Sequence, residues 1–95
     1  MFLSIRKYDN VQNVAHMKQE AGDKVLPAMR DAAGFRSYTV VDCGNGQVLS
    51  ISVFDSREQA DKANQSAKAV VQNSPFANLT PPDITLGEVL IDNRK

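Results

Sequence analysis

The sequence predicts an α+β domain of order β-α-β-β-α-β, with a four-stranded antiparallel sheet and both helices on one face, and three observations predict it. The runs Gly34 to Val41 and Val48 to Phe54 are β-rich and flank Asn45-Gly46, two residues that tolerate the positive φ of a tight I′ hairpin turn. A helix-like segment stands on each side of this hairpin. Apolar runs at Phe2 to Ile5 and Ile84 to Ile91 close the two ends.

Taken in order, the first strand, Phe2 to Tyr8, places Leu3 and Ile5 on one side and Phe2, Ser4, Arg6 and Tyr8 on the other. Asp9 precedes Gln12 by three, a capping-box spacing that predicts the start of helix one there. Its apolar positions Val14, Ala21, Val25, Ala28 and Met29 fall on one stripe, and Gly34 is placed to end the segment. Pro27 removes an amide donor inside this pattern, so a kink or break is expected near Gly22 to Asp23. Helix two is announced by Ser56 with Gln59, and carries the small stripe Ala60, Ala63, Ala67, Val70 and Val71. Small side chains allow close packing on a sheet or leave room for a ligand, and the sequence leaves both open. Asn73-Ser74-Pro75 ends the helix, Phe76, Ala77 and Leu79 are expected to form a turn over the core, and Thr80 to Asp83 leads stiffly into the last strand. Residues 92–95 are expected to fray.

Right-handed crossovers put both helices on one face of the sheet. The other face then exposes Leu49, Ile51 and Val53, an apolar row that soluble monomers seldom leave uncovered, so a homodimer through the sheet faces is expected.

Residues 1–95 make one domain, and a chain this short buries a modest fraction of its surface. Eleven acidic and eleven basic residues cancel, which removes the net field that draws proteins to nucleic acid or anionic membranes. Neither partner is expected. Cys43 is the only cysteine, so no intrachain disulfide forms, and it has no companion at metal-ligand spacing. Phosphate-cradling glycine motifs and metal-chaperone cysteine pairs are missing, and no apolar run has the length of a signal peptide or a membrane span. The expected location is the cytoplasm, and no cofactor is expected.

The Gly34-Phe35 entry to strand two, the Gly44-Asn45-Gly46 hairpin, Val53-Phe54-Asp55 leading into helix two and Gly87-Glu88-Val89 near the end together resemble the antibiotic biosynthesis monooxygenase-like group of the dimeric α/β-barrel superfamily, over nearly the whole chain. The resemblance implies ferredoxin-like protomers packed sheet to sheet, each with a ligand space between its sheet and helices. It implies a small-molecule-binding homodimer: a cofactor-independent monooxygenase or isomerase acting on an aromatic or polyketide-like substrate, or alternatively a non-catalytic ligand-binding or structural dimer. Haem-degrading members carry a Trp and a His where this chain has Phe54 and Asn64, so haem degradation is not expected. His16, the only histidine, lies far from the apolar stripe of helix one and is expected to face solvent.

With Phe54 facing the ligand space by this resemblance, the period of two brings Ser52 and Ser50 to the same side. Arg6, Tyr38 and Asn64 complete the candidate binding set: a cation, a phenol, an amide and hydroxyls suit a carboxylate or enolate. The competing reading is local hydrogen bonding with no ligand. The sequence names no catalytic residue.

Overall fold

The computed structural model describes residues 1–74 and 82–93. Its elements are β1 (Phe2–Tyr8), α1 (Val14–Glu20), a π turn (Ala21–Val25), α2 (Leu26–Arg30), β2 (Phe35–Gly44), β3 (Gln47–Phe54), α3 (Arg57–Gln72) and β4 (Asp83–Glu88). The strands form one antiparallel sheet in the order β2-β3-β1-β4, the ferredoxin-like arrangement expected from the sequence.

The alternation along the strands decides what lies under the helices. Ser4, Arg6 and Tyr8 on β1 and Val48, Ser50, Ser52 and Phe54 on β3 are buried on the helical side. Leu3 pairs with Val53, Ile5 with Ile51 and Lys7 with Leu49 on the opposite face, which no helix among the described residues covers; Val53, expected to be exposed there, is instead buried at the end of the row. Val25, Met29, Phe54, Ala60, Ala63 and Ala67 make the main core. The alanine face of α3 packs flush there, and Phe35 meets Phe54 edge to face at 5.9 Å between ring centres.

Asn45 and Gly46 have φ of 54° and 78°, the paired positive values that a I′ hairpin turn demands. Helix one begins later than Asp9 suggests. Asn10 takes a φ of 61° and the Val11 amide bonds the Gly46 carbonyl at 2.9 Å, so the chain after β1 is pinned to the hairpin tip before any helix forms. Asn13 is the cap, its Oδ1 accepting from the His16 amide at 3.0 Å. The break expected from Pro27 takes the form of the π turn, in which the Leu26 amide reaches back five residues to the Ala21 carbonyl. In α3, Ser56 Oγ accepts from the Gln59 amide at 3.3 Å, but the Gln59 side chain packs against Gly34 instead of closing a reciprocal capping box. The last strand is shorter than the apolar run to Ile91: β4 stops at Glu88, the Val89 amide makes one more bond to the Met1 carbonyl at 2.9 Å, and Leu90 and Ile91 beyond it are exposed. The expected turn at Phe76, Ala77 and Leu79, the segment Pro75 to Pro81 and the last two residues lie outside the described residues.

Candidate functional site

Arg6 sits in the middle of β1 with its side chain on the helical face, only 4% exposed. Its Cα partner across the ladder is Ser50, and Arg6 Nη2 donates to Ser50 Oγ at 3.1 Å. Ser50 in turn donates to Tyr38 Oη at 3.2 Å, from the adjacent strand β2. The guanidinium therefore polarises one hydroxyl, which polarises the next, and the chain ends on the Tyr38 phenol with its own O–H still to give. Arg6 Nε is buried with no hydrogen-bond partner, and among the described residues no carboxylate forms an ion pair with Arg6. Buried cations are ordinarily paired, because an unmatched charge in a low-dielectric interior costs several kcal/mol.

Beside this relay is a cavity of about 40 Å³, partly open, lying between the sheet, the first helix with its π turn, and the end of α3 at Val70, Val71 and Ser74. Arg6, Tyr8, Tyr38 and Ser50 supply its polar floor, while Met17, Glu20, Ala21 and Val25 form the wall across from it. At about 10 to 15 Å³ per water, this space holds about three waters or one carboxylate-sized head group. Burial raises the Tyr8 phenol above its usual range, the Arg6 charge opposes that, and Tyr38 adds to it; at neutral pH Tyr8 is a neutral donor. Glu20 is the one acid on the wall among the described residues. A hydrogen bond from Lys24 holds its carboxyl below the ordinary range against the opposing effect of burial, with the charges of Lys24 and His16 assisting.

The six residues singled out from the sequence divide between two places. Arg6, Tyr38 and Ser50 line the cavity. Ser52, Phe54 and Asn64 lie towards the other end of the same face, where the packing is closed. Phe54 is fully buried in the core, Ser52 is buried opposite Ser4, and Asn64 Nδ2 donates to Ser4 Oγ at 2.9 Å, tying α3 to β1. His16, 41% exposed, stands outside with Nε2 at 3.6 Å from Glu20 Oε1.

Tyr8 and Glu20 were not in the candidate set. Tyr8 was within reach of the sequence, since it follows Arg6 by two on the same strand face. Glu20 was not. Five residues before Val25, it would stand about 140° away on an α-helix, but a π turn aligns residues five apart and carries Glu20 round to the cavity. Among the described residues, no group of His, Cys, Asp and Glu is arranged to hold a metal ion, and no helix is long and apolar enough to cross a membrane.

No family model and no curated protein matches the sequence. Solved structures do match the fold. A protein of unknown function from Nitrosomonas europaea superposes with a TM-score of 0.77 at 16% identity, over 99% of this chain and 92% of that one. SnoaB, a cofactor-independent oxygenase from Streptomyces nogalater, gives 0.73 at 10% identity, over 99% and 96% of the two chains. An antibiotic biosynthesis monooxygenase gives 0.71 at 14% identity, over 96% and 100%. At such identities the likeness is one of fold, and this chain shares its fold with the antibiotic biosynthesis monooxygenase-like group of the dimeric α/β-barrel superfamily.

Proposed function

We propose that the protein is a homodimer that binds a small organic anion, a carboxylate or the enolate of a phenolic or β-dicarbonyl compound, in the cavity over Arg6. The observation that carries this reading is the Arg6 guanidinium: buried, unmatched by any described carboxylate, and at the head of a relay whose ends are all donors. Such a set favours the anionic form of a bound enol or phenol, because the charge that appears on deprotonation is met by donors already in place. An electron-rich anion of this kind can itself reduce dioxygen, so the protein would have to supply only position and electrostatic stabilisation. The fold shared with SnoaB supports that oxygenase reading. The size of the cavity supports a division of the ligand, with the anionic head enclosed and an aromatic or polyketide-like remainder at the mouth.

A non-catalytic dimer is the second reading, favoured by the flush packing of Ala60, Ala63 and Ala67 on the sheet around Phe54. Thermal-shift titration with phenolic and β-dicarbonyl acids separates the two in stages. A ligand at 100 times its Kd stabilises the fold by about 2.7 kcal/mol. That gain should disappear in Arg6→Met, judged on protein that remains folded and dimeric, and an undiminished shift in this variant would remove Arg6 from the site. Oxygen uptake with the bound compounds, measured against buffer alone, then tests catalysis: none above the blank leaves the binding dimer.

A further inference from the structure

The floor of the cavity offers a cation and phenols with protons to give, and its opposite wall offers an acid. Glu20 is the single described carboxylate lining the cavity, brought there by the π turn. Its Oε2 is buried and lies 2.8 Å from Lys24 Nζ, and its Oε1 lies 3.6 Å from His16 Nε2, so neighbours one turn to either side fix the position of the carboxylate on the cavity wall. We infer that Glu20 is a specificity-determining residue, which selects ligands that carry a hydrogen-bond donor, such as a second hydroxyl, beyond the anionic head held by Arg6. This rests on the anion-binding reading of the cavity and narrows its substrate class to hydroxylated mono-anions.

The physical basis is the difference between the two walls. A carboxylate held ionised by Lys24 accepts and never donates, so a hydroxyl reaching it gains a charge-assisted hydrogen bond. A second carboxylate on the ligand would meet a like charge in a partly dry space, where repulsion is screened less than in water. The two walls therefore sort ligands by the sign of their second group, and the selectivity comes as much from rejecting dianions as from attracting hydroxyls.

The probes are benzoate, 3- and 4-hydroxybenzoate, and the corresponding 1,3- and 1,4-benzenedicarboxylates, titrated by calorimetry at neutral pH into the wild-type protein, Glu20→Gln and Arg6→Met. In the wild type, one of the hydroxybenzoates should bind at least tenfold more tightly than benzoate, and its dicarboxylate counterpart at least tenfold more weakly. Glu20→Gln keeps an amide that accepts and donates without charge, so both ratios, each taken against benzoate in the same variant, should fall to within about threefold of one. Unchanged ratios in Glu20→Gln would overturn the role of Glu20 and leave the anion site standing. Failure of all the probes to bind the wild type, or equal binding by Arg6→Met, would overturn the anion site, and with it this inference. Circular dichroism and sedimentation of each variant confirm that the comparison is made on folded protein.

Discussion

Arg6 and Tyr8 share one face of a single strand, two residues apart, and both are buried. Arg6 has one hydroxyl to answer it, and Tyr8, 6% exposed, is pushed by burial towards its neutral form. For Tyr8 the folded state binds the phenolic proton more tightly than the unfolded chain does, with burial the largest cause and Arg6 opposing it. Its contribution to stability is therefore complete below the unfolded value of 10.0 and is lost as the pH rises through the higher folded value. Urea midpoints should accordingly show no loss from this group between about pH 7 and 9 and a decline above about pH 10. Tyr8→Phe should flatten part of that decline. An alkaline slope identical in wild type and Tyr8→Phe would assign the titration to other groups.

At the scale of elements, the junction between α2 and β2 turns on one close approach. Gly34 has a φ of 79°, and the space a Cβ would take is held by the Gln59 carboxamide from the first turn of α3. Gly34→Ala should cost about 1 to 2 kcal/mol for the left-handed backbone, because the atoms in the way are the far end of the flexible Gln59 side chain, which can swing aside. Denaturation curves check it: a loss well above that range, relieved in a Gln59→Ala background, would show that the carboxamide is held in place. Sequence pattern reveals such features unevenly. The hairpin was legible because Asn45-Gly46 is a local requirement of backbone conformation, and the buried set on β3 because a period of two survives from Val48 to Phe54. From the same periodicity came Arg6, Tyr38 and Ser50. The start of helix one was not legible, since Asp9 and Asn13 both suit a cap and the choice is made by a distant contact, Val11 on Gly46. Glu20 was hidden for a different reason: a helical wheel drawn at constant pitch carries the phase error of the π turn to every residue before it. Nor does periodicity report depth, so it could not separate the packed end at Phe54 from the open end at Tyr38.

For the molecule as a whole, the governing fact is the uncovered face of the sheet. Leu3, Ile5, Leu49 and Ile51 lie half-buried together on it, joined by the exposed Val41 from β2, while Val53 at one end of the row is already buried within the chain. Covering this surface with a second copy should bury roughly 1,200 to 2,000 Å² in total. Sedimentation at micromolar concentration should give a dimer, and Ile51→Asp should dissociate or unfold it by placing a charge in an apolar contact. Lys7→Glu, at the margin of the same face, should weaken association without unfolding. A wild-type protein that remains monomeric would contradict the arrangement. The π turn has a consequence of another kind, in how such a protein can diverge. It amounts to one residue more than a regular helix needs, and Gly22 within it has open space where a side chain would be. A lineage that lost a single codon there could keep its core beyond Val25 and still swing Met17 and Glu20 off the cavity. Along this stretch, a change in length is a change in the wall of the cavity, made without replacing any residue on its floor.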